Sequence, residues 1–175
     1  WSGFKHFDRF FKSKEFWNLI KNTLGISIYN LAAGFPFPIF LAILLNYART
    51  ERFKKTVQMV TYAPYFISTV VMASMVLQFL SPRVGVINVV RELIGLERIN
   101  YMGVPGYFKS IYVWSGIWQN IGWSSIIYIG ALSAINPELH EAAIVDGATI
   151  WDRIWHIDLP GIAPTIIMLF ILRTG

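Results

Sequence analysis

The stretch NPELHEAAIVDGATIWDRIWHIDLPGIAP, Asn136 to Pro164, lies between two apolar runs, and its reading decides the fold. Asn136-Pro137-Glu138 sets a side-chain acceptor at a helix cap, proline in the first turn and an acid at the positive helix end. Leu139 to Asp146 then give about two turns, stopped at Gly147, the usual residue for a left-handed cap. Thr149, with Asp152 three residues on, predicts a second N-cap, with Asp where Glu or Gln more often stands. Ile150, Ile154 and Ile157 share one helical face, and Pro160 and Pro164 are expected to close that helix and admit the next apolar run. The segment thus reads as a helix-turn-helix hanging off a membrane face. It holds Glu138, Glu141, Asp146, Asp152 and Asp158 against a single Arg153. Such an acidic knob suits a basic groove, and Ala142 and Ala143 would let another surface approach closely. A solvated loop with capped helices would carry the same charges.

Outward from this loop the charges vanish. Lys109 and Glu138 bracket 28 residues with no Asp, Glu, Lys or Arg; Lys55 and Arg83 bracket 27, and Lys21 and Arg49 another 27. Beyond the loop, Leu159 to Leu172 are 14 more uncharged residues. A hydrocarbon core about 30 Å thick needs roughly 20 helical residues. Spans are therefore predicted at residues 23–45, 57–80 and 111–135, with the start of a fourth at 160–175. Composition agrees: 14% of the 175 residues are charged and 55% are hydrophobic, against roughly 25% charged in a soluble domain. A soluble core of this size could not hide so much apolar surface, and disorder is excluded by the same figures. With no cysteine, a disulfide scaffold, thiolate metal sites and a cysteine nucleophile are excluded. The fold class expected is all-α, a polytopic membrane helical bundle. Opening on Trp1 and stopping within a fourth apolar run, the chain is expected to be an internal piece of a longer protein.

Within the spans, Gly34, Pro36 and Pro38 are expected to distort the first helix and free backbone carbonyls at mid-depth, and Pro64 the second. Spans one to three contain no carboxylate, Lys or His, which speaks against a proton pump, voltage sensor or metal transporter, and against ionic solutes. Arg173 is the exception. If the fourth helix starts near Pro160, Arg173 lies roughly 20 Å into it and should face a polar cavity or a partner. Span three offers Trp114, Trp118, Gln119, Asn120 and Trp123, and span one Tyr29 and Asn30. Aromatic faces and neutral hydrogen-bonding groups suit a sugar, with Gln119 and Asn120 the preferred candidates. The same residue types also serve as interfacial belts and interhelical hydrogen bonds. Phe7, Phe10 and Phe11 share a face in an N-terminal interfacial segment, and residues 82–105 read as a short amphipathic helix outside the bilayer. The basic loop 48–55 favours the cytoplasm, whereas the raw Lys and Arg count favours the opposite side.

The run EAAIVDGATIWDRIWHIDLPGIAP, with Glu141-Ala142-Ala143, Asp146-Gly147-Ala148 and Ile157-Asp158-Leu159-Pro160, resembles the EAA loop of bacterial ATP-binding-cassette (ABC) import permeases. The stretches GFPFPIFLAILLN, QMVTYAPYFIS, QFLSPRVGVIN and GWSSIIYIGALSAINPELHEAA extend that resemblance over nearly the whole chain. They are similar to the maltose-type carbohydrate permeases, in particular those importing complex oligosaccharides. The resemblance implies a type I importer permease fold, multi-pass in the bacterial inner membrane, with loop 136–164 cytoplasmic and residues 1–22 external. It implies ATPase coupling through Glu141, Ala142, Ala143, Asp146, Gly147, Ala148, Ile157, Leu159 and Pro160. The partners implied are a second homologous permease, two cytoplasmic ATPase subunits, an extracellular or periplasmic sugar-binding protein and the lipid bilayer. No nucleic acid, cofactor, metal or catalytic residue is expected, and the chain has no GxxxxGK[ST] phosphate loop of its own. Two rivals differ in their needs: an amino-acid or peptide permease would want charged cavity residues, and a membrane-embedded glycosyl-transferring enzyme acids or histidines near an interface. His6, His140 and His156 are scattered.

Overall fold

The computed structural model describes residues 3–174, and among these the regular structure is entirely helical. The elements are α1 (Lys5–Phe11), α2 (Lys14–Gly34), α3 (Pro36–Asn46), α4 (Glu51–Tyr62), α5 (Thr69–Phe79), α6 (Val86–Leu93), α7 (Pro105–Ser133), α8 (Pro137–Val145), α9 (Ile150–Arg153) and α10 (Leu159–Thr174). A 3-10 turn, Ala63–Phe66, follows α4, and a π-turn, Ile154–Asp158, joins α9 to α10.

The first span is longer and straighter than its prolines suggest. Ser13 caps α2 by accepting from the Phe16 amide at 3.2 Å, so the helix begins at Lys14 and absorbs part of the expected interfacial segment. Phe35, between α2 and α3, keeps helical dihedrals, and its amide still reaches the Leu31 carbonyl at 3.1 Å. Pro36 occupies the first turn of α3, where its missing N–H costs least. The result is one apolar rod, Lys14–Asn46, of 33 residues.

The second charge-free run behaves differently. Pro64 sits in the 3-10 turn, Ile67 is extended (φ −77°, ψ 130°), and Ser68 caps α5 by accepting from the Val71 amide at 3.4 Å. The stretch Glu51–Phe66 and α5 consequently meet at 105°. The run predicted at 57–80 is a broken span or a re-entrant element, not a single rod.

Helix α7 is the axis of the molecule, packing on α2, α3, α4 and α10. Its 29 residues reach roughly 43 Å. By length and apolarity, Lys14–Asn46 and Ile150–Thr174 qualify as membrane spans, and the bent pair makes a third; α7 has the length but is diluted by Gln, Asn and Ser. Gly122 lets α7 touch α4, since a Cβ there would overlap the Thr61 carbonyl and the Tyr62 ring. The fully buried core is small: Ala42, Tyr128, Leu132 and Ile162 meet where α3, α7 and α10 cross. Large apolar side chains such as Ile28, Phe40, Ile127 and Ile171 face outward, as a lipid-facing or partner-facing surface requires.

Pro160 and Pro164 do not end the helix begun at Ile150. The chain runs helically from Ile150 to Thr174, because the π-turn inserts a residue and the Leu159 amide reaches back five residues to the Ile154 carbonyl. That shift of register accommodates a following proline without a break.

The connection between α5 and α7 is tied by Asn88. Fully buried, it donates to the Ser81 and Ile99 carbonyls at 3.1 and 3.0 Å and accepts from the Ile99 amide at 2.8 Å. Amphipathic α6 is present as expected, with Val90 and Leu93 exposed.

Candidate coupling site and solute cavity

Helix α8 is defined at both ends by its own residues. Asn136 Oδ1 accepts from the Glu138 amide at 3.1 Å. At the other end Gly147 adopts φ +81°, a conformation that costs any residue with a Cβ. Its amide donates to the Ile144 carbonyl at 3.0 Å, and the Ala148 amide to the Ala143 carbonyl at 2.9 Å. Those two bonds are the Schellman closure, and they pair Ala143 with Ala148 across the turn. The second cap is a full capping box: the Asp152 amide donates to Thr149 Oγ1 at 3.3 Å, and the Thr149 amide to Asp152 Oδ2 at 2.8 Å.

These caps redistribute the acidic knob. Asp152 is occupied in its box, Glu138 accepts from Asn136 Nδ2 at 3.2 Å, and Asp158 is fully buried. Glu141 and Asp146 remain exposed and without side-chain partners among the described residues. Ala142 is exposed beside Glu141, whereas Ala143 and Ala148 are partly covered. Ile157 lies in the π-turn; Leu159 and Pro160 open α10.

Asp158 forms a knot that the loop's own spacing does not reveal. Its Oδ2 accepts from the Tyr47 hydroxyl at 2.6 Å, just past the end of α3. Its Oδ1 lies 3.4 Å from His140 Nε2 on α8 and has no other partner among the described residues. The Arg153 guanidinium stacks 5.3 Å over the Tyr47 ring. Burial, then the hydrogen bond to Asp158, push the Tyr47 hydroxyl well above its ordinary range, so it stays a proton donor. The Tyr47 hydrogen bond ties the π-turn to the end of the first span, and His140 brings α8 alongside. A lone carboxylate between Ile157 and Leu159 was the one signal for it in the sequence; Tyr47, 111 residues away, gave none.

A cavity of about 1230 Å³ opens between α2, α5 and α7. Asn30, Gln119 and Asn120 line it. Gln119 also donates to the Ile67 carbonyl at 2.9 Å, clasping the break in the second run, and Asn120 bonds the Gly116 carbonyl of its own helix at 2.8 Å. The aromatic candidates lie elsewhere. Trp114 donates to the Tyr29 hydroxyl at 2.9 Å and packs edge-on to Phe37, while Trp123 stacks on Tyr65 at 4.5 Å. Neither Trp114, Trp118 nor Tyr29 lines the cavity, and Trp123 lines a smaller one of about 500 Å³ on the α3–α10 side. Among the described residues no cluster of acids and histidines could hold a metal ion.

Arg173 reaches the same cavity. Pro38 has no N–H, so the Gly34 carbonyl four residues earlier lacks its helical partner. Arg173 Nη1 donates to that carbonyl at 3.3 Å. A Cβ on Gly34 would lie 2.8 Å from Arg173 Nη2, so the glycine makes room for the guanidinium.

The structure is similar to chains in two crystal structures of bacterial alginate transport. One is described as a bacterial alginate ABC transporter in complex with an alginate pentasaccharide-bound periplasmic protein. It has a TM-score of 0.95 and 46% identity, over 98% of this chain and 59% of that one. The other, described as involved in import of the acidic polysaccharide alginate, also gives 0.95 and 46%, over 99% of this chain and 60% of that one. Among curated proteins, the polygalacturonan/rhamnogalacturonan transport system permease protein YteP of Bacillus subtilis is 43% identical over the whole of this chain and 54% of its own length. The trehalose/maltose transport system permease protein MalF of Thermococcus litoralis is 25% identical over 98% of this chain and 58% of its own. The chain thus spans little more than half the length of these relatives. Their helical architecture is the type I ABC importer permease fold, and this chain shares it. The family model for the binding-protein-dependent transport system inner membrane component matches residues 34–175, and the chain belongs to that family.

Proposed function

We infer that the protein containing this chain is the permease subunit of an ATP-driven oligosaccharide importer, and that the segment described here transmits ATPase motion to a sugar path. The observation that carries this reading is α8. Both its ends are locked by local caps, Glu141 and Ala142 are exposed on it, and its His140 lies 3.4 Å from Asp158, which the Tyr47 hydroxyl ties to the end of the first span. A helix so held moves as a lever, not as a flexible loop.

In this reading loop 136–164 is cytoplasmic, residues 82–105 lie outside, and a second homologous permease completes the path. Two ATPase subunits bind below, and Glu141 meets a basic residue in a groove on one of them, with Asp146 beside it. Gly147 sets the turn, and Ala142 and Ala143 allow close approach. Ile157, Leu159 and Pro160 carry the displacement through the π-turn into α10. A solute-binding protein delivers the sugar from outside to the cavity, where Asn30, Gln119 and Asn120 offer neutral hydrogen bonds. The names of the relatives, for polygalacturonan/rhamnogalacturonan and for alginate, support a saccharide cargo.

Glu141→Lys in the assembled transporter tests the lever. Membrane insertion should be retained, while ATPase association and uptake fall; unchanged association and uptake would remove Glu141 from the coupling role.

A further inference from the structure

Neither cation of the cavity has an anionic partner among the described residues. Lys109, near the start of α7, and Arg173, on α10, line it, and no Asp, Glu or His does so among the described residues. Neither makes an ion pair with a described residue. Arg173 uses one N–H on the Gly34 carbonyl, which leaves most of the five donors of a guanidinium unspent. Lys109 makes no side-chain hydrogen bond to the described residues; its Nζ would lie 2.9 Å from a Cβ on Gly25. An unpaired positive charge inside a membrane protein is costly, and it is retained where it faces a polar path and meets an anion there.

The spacing of the two says what kind of anion. Lys109 rests against Gly25 and Arg173 against Gly34, both on α2. Nine helical residues separate these contacts by roughly 13.5 Å along the axis. One carboxylate cannot reach both. An extended chain bearing several carboxylates can.

Resting on the oligosaccharide reading above, we propose that Lys109 and Arg173 form a two-step cationic ladder that binds the carboxylates of a uronate-bearing oligosaccharide. Lys109 takes them near the Tyr101–Pro105 edge of the cavity and Arg173 at its far end. Arg173 is the more selective rung. The Gly34 carbonyl freed by Pro38 fixes its guanidinium, and a planar fork held in place meets a carboxylate through two parallel hydrogen bonds. The neutral Asn30, Gln119 and Asn120 then serve the hydroxyls.

The test uses the complete transporter in proteoliposomes with its binding protein. The probes are galacturonate and mannuronate oligomers of three to five residues, and the same oligomers with their carboxyls reduced to alcohols. The wild type should take up an acidic oligomer in preference to its reduced form. Arg173→Gln should lower acidic uptake roughly tenfold more than reduced-oligomer uptake, the difference expected for a charge-assisted contact. Arg173→Lys should restore part of the difference. Lys109→Gln, which breaks no side-chain hydrogen bond or ion pair within the described protein, should narrow the preference in the same direction; it keeps the test decisive if the Arg173 variants fail to assemble. Equal losses for both oligomer types, or a wild type that prefers the reduced form, would overturn the ladder and leave the oligosaccharide reading standing. ATP hydrolysis with no uptake of any oligomer would overturn both.

Discussion

Loop 136–164 and the cavity lie toward opposite ends of α7 and are built by opposite rules. In the loop, every cap joins residues at most five apart: Asn136 to Glu138, Ala143 to Ala148, Thr149 to Asp152. In the cavity, the decisive contacts join Gln119 to Ile67 and Arg173 to Gly34, 52 and 139 residues apart. The first kind of structure is written in short runs of sequence. The second exists only once the bundle has closed. The Asp158 knot stands between them, belonging to the loop by position and to the bundle by its partner Tyr47.

Substitutions can press on this contrast. The largest effect is expected where α7 crosses α4 at Gly122. In Gly122→Val the new side chain would meet the Thr61 backbone, which cannot yield as a side chain can. Overpacking of about 1–3 kcal/mol or more should follow, with loss of monodisperse protein from the membrane. Gly130→Ala on the same helix adds a Cβ to open space and should be harmless or slightly stabilising. Size-exclusion profiles of the two variants in detergent separate the outcomes.

Next comes the knot. Tyr47→Phe leaves the buried Asp158 carboxylate without its hydroxyl donor, and a loss of about 1.5–3 kcal/mol is expected. The melting temperature should fall, and transport per ATP hydrolysed should fall with it as the tie between the π-turn and the first span loosens. A lower melting temperature with unchanged coupling would make the knot structural only.

Local caps should matter less to the whole bundle and more to the loop 136–164 itself. Gly147→Ala keeps φ +81° only with strain of about 1–2 kcal/mol. Faster hydrogen exchange should appear at the amides of Gly147 and Ala148 while α7 stays protected. Thr149→Ala, which breaks the capping box, should cost about 1 kcal/mol and be read as faster exchange confined to α9. If these variants destabilised the bundle as much as Gly122→Val, the division between local and long-range order would fail.

The same division explains how much was legible beforehand. The caps at Asn136, Gly147 and Thr149 follow from side-chain chemistry within one turn, and the charge-free runs follow from bilayer thickness. The 105° break was legible only as Pro64; its sharpness needs the extended Ile67 and the Ser68 cap. The prolines of the first span and of α10 suggested distortion. The long rod kept its path because Pro36 fell in a first turn, and α10 because a π-turn precedes Pro160. Apolar spans suggested an uncharged path, yet Lys109 at a helix end and Arg173 beneath a proline-freed carbonyl converge on one cavity. Trp114 and Trp118 share a helical face by spacing, and within this chain a different face of α7 lines the cavity. Helical periodicity gives faces without saying what they meet.

The central claim is that α8 points into the cell and is held there by an ATPase subunit. It is tested by a single cysteine at Ala142 in a transporter otherwise free of cysteine, probed with a membrane-impermeant thiol reagent. The expected result is labelling in inside-out vesicles stripped of ATPase, none in intact cells, and protection when the ATPase is restored. Labelling from the cell exterior, or labelling indifferent to the ATPase, would contradict it.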